Sequence, residues 1–248
     1  MKDRVVLYTG AAGGLGFETS LLMIDRGATV VAIDYNPDKL AALTEAAKDR
    51  GPGRLITSGA DMGDLPAYRT VLEDLASQTG GFDVVINNAG IYPAKPFEEF
   101  TIEEYQAVQR VNVDAHVLTV QVVLPFMRQR GFGRIINISS ITMSGAWDNL
   151  YPYVSSKMAL VGLTRAWARE FGPMGVTVNA IAPGAFPTDA EKIHPDPEGY
   201  ERMVLHAQAV KRRGHAGDIA NAIAFFVSED AGFITGQTLH VNGGWTMN

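Results

Sequence analysis

The chain has no cysteine. Disulfides, thiolate metal centres and thiol nucleophiles are therefore excluded, and the absence fits a cytoplasmic protein. No apolar run approaches the ~18 residues of a membrane span. The opening Met1-Lys2-Asp3-Arg4 leads into a short apolar segment and glycines rather than the apolar core of a secretion signal. Positive charge is in deficit: 21 Lys and Arg stand against 27 Asp and Glu, a net of −6, which argues against a nucleic-acid surface. Linkers, low-complexity tracts and internal repeats are also lacking. What is present is ordinary for a soluble globular protein, 46% hydrophobic and 19% charged over 248 residues, enough to bury a core unaided.

Strand-like apolar runs at 4–8, 29–33, 55–58, 84–87, 134–138, 176–181 and 238–241 alternate with helix-like stretches at 17–26, 37–50, 67–78, 102–129, 153–171 and 218–227. Pro125 is expected to bend or break the longest helix. The Val/Ile-rich runs lack polar alternation, which predicts strands buried on both faces. The alternation predicts an α/β, doubly wound parallel sheet with helices on both faces, as one domain over 1–248. The segment 185–215 is rich in Pro, His and charge. It reads either as a mobile lid or as a surface excursion without a role.

Thr9-Gly10-Ala11-Ala12-Gly13-Gly14-Leu15-Gly16 follows the first strand and opens the first helix. Glycines there allow a sharp turn and close approach of backbone to a pyrophosphate, and the helix N-terminus offers N–H groups to it. Asp34 closes the next strand, where a carboxylate can accept hydrogen bonds from both ribose hydroxyls of NAD and repel the 2′-phosphate of NADP. Tyr35 and Asn36 follow it, so the neighbouring sequence offers no cation to a phosphate and NAD is preferred. The alternative for Asp34 is a turn or cap residue ahead of Asn36-Pro37. Asp61, at the end of the third strand, could meet the adenine edge or be a loop acid.

In Tyr153-Val-Ser-Ser-Lys157 the two ends share a helix face, and Ser140 lies upstream. An ammonium beside the Tyr153 phenol would lower its pKa from ~10 and make it a proton donor and acceptor near neutrality. The alternative is a packed Tyr beside a snorkelling Lys. Tyr151 has Ser155, not lysine, four residues on. Ser139 neighbours Ser140, and on a strand the two would point to opposite faces.

Together, Thr9 to Gly16, Asn87-Asn88-Ala89-Gly90, Asn112, Ile138-Ser139-Ser140, Tyr153 to Lys157, Asn179-Ala180-Ile181-Ala182-Pro183-Gly184, and Gly236 with Asn242-Gly243-Gly244 resemble the short-chain dehydrogenase/reductase family along the whole chain. The resemblance implies a Rossmann-like sheet of about seven strands, NAD(P)-dependent chemistry at an alcohol or carbonyl carbon, and a homotetramer. It implies that Tyr153 is the base in oxidation and the acid in reduction, and that Lys157 lowers its pKa and holds the nicotinamide ribose. Ser140 would bind the substrate oxygen, and Asn112 would shape its helix and anchor a water relaying protons from Lys157. Gly10, Gly14, Leu15, Gly16, Asn88, Ala89, Gly90, Pro183, Gly184 and Thr188 would line the cofactor, with Thr188 at its nicotinamide end. The spacing from Tyr153 selects Ser140 over Ser139.

By the same resemblance Tyr92, Thr142, Trp147, Tyr151 and Phe186 line the substrate pocket. Uncharged and largely aromatic, they favour a neutral or partly apolar secondary alcohol, polyol or sugar. Trp147 and Tyr92 could instead simply pack the loop core. The family's 3-oxoacyl-thioester reductases carry a basic residue where Met174 stands, before Gly175-Val176-Thr177-Val178-Asn179. A non-catalytic NAD-binding scaffold is the remaining alternative. His194 and His206 have no acidic ligands at helical spacing, so no metal is expected there.

Overall fold

The computed structural model describes residues 1–145, 147–189, 191 and 195–247; His194 lies outside them. Seven strands form one parallel sheet: β1 (Val5–Thr9), β2 (Thr29–Asp34), β3 (Arg54–Gly59), β4 (Val84–Asn87), β5 (Gly133–Ile138), β6 (Val176–Pro183) and β7 (Thr238–Val241). Their order is β3-β2-β1-β4-β5-β6-β7. The chain winds outward from β1 to β3, then crosses back to start β4 on the other side of β1. That reversal opens a crevice beyond the carboxyl ends of β1 and β4, where Thr9 pairs with Asn87.

Side chains alternate between the two faces of each strand. Val6 and Tyr8 enter one core with Leu21 and Ile24 of α1 (Gly14–Asp25) and Ile223 of α8 (Ala216–Phe226). Leu7 enters the other, with Tyr68 and Leu72 of α3 (Leu65–Thr79), Val123 of α5 (Ala115–Arg130) and Trp167 of α6 (Tyr151–Phe171). The Val/Ile runs thus supply the buried strand side chains of both cores. The set is completed by α2 (Pro37–Ala47), α4 (Ile102–Gln109) and α7 (Pro197–Ala207).

Two expectations are corrected. The long helix is not broken at Pro125, which sits inside α5; the helix ends at Gly131, whose φ of 63° suits a residue without a side chain. The interruption is a π turn at Arg110–Asp114, which turns Asn112 into the interior. The segment 185–215 also contains a helix the pattern reading missed, α7. Asp196 caps it by accepting from Gly199 N at 2.9 Å, with Pro197 at its first position. Asp-Pro-Glu is a legible start signal.

Candidate active site

Each reactive side chain comes from a different sheet-end element. Ser140 follows β5, and its Oγ accepts from Thr142 N at 3.1 Å and from Thr142 Oγ1 at 3.0 Å. A hydroxyl has two lone pairs, and both are taken, so the Ser140 proton is left to donate. It reaches the Tyr153 phenol. Ser139 points the other way, donating to the Lys157 carbonyl at 2.9 Å.

Lys157 is 3% exposed, and its Nζ donates to Ile138 O at 2.8 Å. It sits 5.5 Å from the centroid of the Tyr153 ring. Burial pushes the Lys157 ammonium down to about 8. Burial also pushes the Tyr153 phenol up to about 12, and the Ser140 hydrogen bond opposes this. The expectation that Lys157 alone draws the phenol below ten is thus corrected: the cation is anchored on a strand carbonyl, and desolvation of the phenolate wins.

Asn112 is fully buried. Its Oδ1 accepts from Ile91 N at 2.8 Å, and its Nδ2 donates to Ile91 O at 2.9 Å and Ser156 Oγ at 3.0 Å. The side chain thus serves as a clamp on Ile91. On the other side of the crevice, Gly10 has φ 65°, and a side chain there would come within 2.8 Å of Asn88 Nδ2 and 3.0 Å of Ala89 Cα. Asn88 Nδ2 donates to Gly10 O at 3.0 Å and to Thr9 O at 3.2 Å, fixing the loop's entry. A side chain on Gly16 would strike Gly10 O at 2.4 Å. Helix α1 begins at Gly14 after Gly13, which offers no capping side chain, so the amides of Gly14, Leu15 and Gly16 face the crevice end of a helix dipole. This glycine cradle with a bare helix start fits a dinucleotide pyrophosphate.

A family model described as enoyl-(acyl carrier protein) reductase matches residues 10–246. The chain belongs to the short-chain dehydrogenase/reductase family. It is 34% identical over 247 residues to the (2S)-[(R)-hydroxy(phenyl)methyl]succinyl-CoA dehydrogenase subunit BbsD of Thauera aromatica, covering 100% of this chain and 98% of that protein. It is 32% identical over 244 residues to the 3-oxoacyl-[acyl-carrier-protein] reductase FabG of Haemophilus influenzae, covering 98% of each. A solved structure described as an NAD(P)-dependent gluconate 5-dehydrogenase from Beutenbergia cavernae, with bound NADP at low occupancy, superposes with a TM-score of 0.92 at 32% identity, covering 99% of this chain and 97% of that one. As a short-chain dehydrogenase/reductase, this protein is an oxidoreductase that acts on CH–OH groups with a nicotinamide cofactor.

At the adenosine side, Asp34 Oδ2 accepts from Ala12 N at 3.1 Å and Oδ1 from Asn36 N at 3.0 Å. Each oxygen keeps a lone pair. The sequence reading found no cation nearby; the structure supplies one. Lys39, one turn into α2, feels the Asp34 charge, but its Nζ is engaged by Asp189 at 2.6 Å. Asp61 lies beyond the end of β3, and its Oδ1 accepts from Gly63 N at 2.8 Å, a turn rather than a strand end. Thr188 stands over Gly14, where a side chain would meet its Cγ2 at 2.6 Å. Gly184 donates to Val241 O at 2.9 Å and, after Pro183, carries β6 out to the crevice.

The expected pocket residues divide. Tyr92 meets Tyr153 edge-on at 6.1 Å, and Thr142 holds Ser140. Trp147 packs against Trp245 at 5.4 Å, a partner the sequence reading did not single out. Tyr151 is not at the site: its ring lies among Phe97, Phe100 and Tyr105 at 5.0, 5.2 and 5.9 Å, against α4. Phe186 is 6% exposed and joins the α1/α8 core.

Lys157 yields a stability prediction with a definite sign. Its folded pKa lies below its unfolded one. Below about 8 both states hold the proton, and the cost of burying the charge is fully present; between 8 and 10.5 the folded state releases it first and stability rises with pH. That cost is on the order of 3 kcal/mol. Lys157→Met removes it but strands the Ile138 carbonyl, at about 1 kcal/mol. A Tm gain of roughly 2–8 °C at pH 7, fading toward pH 10.5, is expected by thermal melting. Unchanged or lower Tm at pH 7 would show that the lysine is not under strain.

Proposed function

We propose that this protein transfers a hydride between a secondary alcohol, of alcohol, polyol or sugar type, and NAD, interconverting alcohol and ketone. The observation that carries the reading is Asp34. Its carboxylate is oriented by Ala12 N and Asn36 N, with lone pairs left for ribose hydroxyls, and its charge opposes a 2′-phosphate. Lys39 would favour that phosphate, but Asp189 neutralises it.

A dinucleotide held by its pyrophosphate on the glycine cradle would supply the hydride acceptor or donor through its nicotinamide. Gly10, Gly14, Leu15, Gly16, Asn88, Ala89, Gly90, Pro183, Gly184 and Thr188 hold the cofactor. The substrate oxygen takes the place of the Tyr153 oxygen as acceptor of the Ser140 proton, so that Ser140 and Tyr153 both donate to it. The hydroxyl chain from Thr142 to Ser140 to Tyr153 points its donors toward that oxygen. Tyr153 gives its proton in reduction and takes it in oxidation. Lys157, held at about 8, passes that proton outward from a site where it changes charge in mild alkali. Asn112 keeps the Ile91 backbone in place beside it. Trp147 and Tyr92 give the pocket apolar walls. The protein acts as a cytoplasmic homotetramer in this reading.

Thr142→Val keeps the backbone bond to Ser140 but frees one Ser140 lone pair, so the serine can turn away. Its kcat is expected to fall about ten-fold with cofactor KM unchanged, while Thr142→Ser keeps wild-type turnover. Equal rates for all three in steady-state assays would remove Thr142 from the site.

A second reading, 3-oxoacyl-thioester reduction, has an observation of its own. Arg128 of α5 approaches the sulfur of Met174 with its Nε at 3.4 Å, placing an exposed cation where the sequence lacks one. Arg165 and Arg169 line a surface pocket of about 550 Å³ with Gly172 and Pro173. The deciding test is reduced-cofactor formation from secondary alcohols, polyols, sugars and 3-hydroxyacyl thioesters, with NAD and NADP in parallel. Turnover of alcohols or sugars with NAD supports the first reading. Turnover of the thioesters with NADP supports the second and overturns the first.

A further inference from the structure

His116 is fully buried, one helical turn beyond Asn112, and the catalytic scheme does not use it. Its Nε2 lies 3.0 Å from Ala89 O. A carbonyl only accepts, so Nε2 must carry the proton. Nδ1 has no protein partner among the described residues. Burial and the nearby Lys157 charge push the imidazole down to about 3, so it is a neutral donor throughout the working range.

Residues four apart share a helix face. Asn112 grips Ile91 through both its N–H and its carbonyl, and His116 grips Ala89 through its carbonyl. Gly90 lies between the two gripped residues. A side chain on Gly90 would meet Asn112 Oδ1 at 3.2 Å and Lys157 Nζ at 3.5 Å. Ala89 in turn abuts Gly10 of the glycine cradle, since a side chain on Gly10 would lie 3.0 Å from Ala89 Cα and 3.1 Å from Ala89 N. The segment is thus wedged between the phosphate loop and the catalytic lysine, and its backbone must keep one orientation to fit both.

We infer that His116 is a positioning residue for the cofactor: by donating to Ala89 O it forms the second jaw of a clamp, with Asn112, that sets the Ala89-Gly90 backbone between Gly10 and Lys157. The inference rests on the nicotinamide-cofactor reading of the crevice. It concerns backbone placement and not proton transfer, because a group titrating near 3 exchanges no proton during turnover at neutral pH.

The test uses the rule that a glutamine amide nitrogen reproduces Nε2 of histidine, whereas an asparagine amide reproduces Nδ1. NADH affinity is measured by fluorescence titration of the full chain, with Tm recorded for each variant. His116→Leu and His116→Asn are expected to weaken NADH binding about ten-fold, and His116→Gln to restore it to within about three-fold. The pH profile of kcat should be the same for His116→Gln as for the wild type. Should His116→Leu fail to fold, the Gln and Asn pair decides alone. Equal affinity for Gln and Asn, or wild-type affinity for Leu, overturns the inference while leaving the cofactor reading intact. A shifted pH profile in His116→Gln overturns it in favour of a proton-carrying role. Failure of the wild type to bind either NADH or NADPH overturns the cofactor reading and this inference with it.

Discussion

Tyr153→Phe lowers kcat by a factor of about 10²–10⁴ and leaves NADH affinity within about two-fold. The change removes one oxygen and no ring. The edge contact with Tyr92 and the packing of α6 survive, and Lys157 keeps its bond to Ile138 O. What is lost is the only group in the hydroxyl chain that can both give and take a proton at the substrate oxygen. Ser140 cannot replace it: with both lone pairs engaged by Thr142, it donates but does not readily accept. The loss therefore falls on kcat, in both reaction directions. Steady-state rates with a fluorescence titration of NADH separate the two quantities. Turnover above about a tenth of wild type would move the catalytic role away from Tyr153.

Asp34→Asn lowers the ratio of kcat/KM for NAD over NADP by about 10²–10³. The variant keeps size and shape and loses the charge. A like charge set against a phosphate costs several kcal/mol, and each 1.4 kcal/mol is a factor of about ten. Because the readout is a ratio, any general loosening of the Ala12 and Asn36 contacts divides out. An unchanged ratio would mean that Asp34 serves only as a turn residue and that cofactor choice is made elsewhere.

The sheet and the reactive constellation were legible because they depend on local signals. Val/Ile runs such as Val84–Asn87 mark buried strands whatever surrounds them, and glycine-loop, serine and Tyr-x-x-x-Lys spacings are short-range facts. What escaped was tertiary. The π turn at Arg110–Asp114 has no composition signal; it is fixed by Asn112 reaching Ile91 across the fold. Tyr151 was expected in the pocket beside Tyr153, yet helix rotation sends it into the aromatic group at α4 and leaves Tyr153 against Tyr92. Phe186 was expected in the pocket and packs in the core with Ile219 and Ile223 of α8, a contact between distant parts of the chain. Lys39 and Arg128 were missed because a scan of neighbouring residues cannot see a cation delivered from a different helix turn or a different helix. The phenol pKa was misjudged for a related reason. The sequence shows that Lys157 is near but not that Ile138 O holds its ammonium, or that burial outweighs it.

The most direct test is label transfer: a secondary alcohol carrying deuterium at its carbinol carbon, incubated with enzyme and NAD, and the reduced cofactor examined by mass spectrometry and NMR. The account predicts one deuterium per NADH formed, a ketone product without it, and formation suppressed in Tyr153→Phe. Reduced cofactor without label, or label appearing only with NADP and a 3-hydroxyacyl thioester, would contradict it.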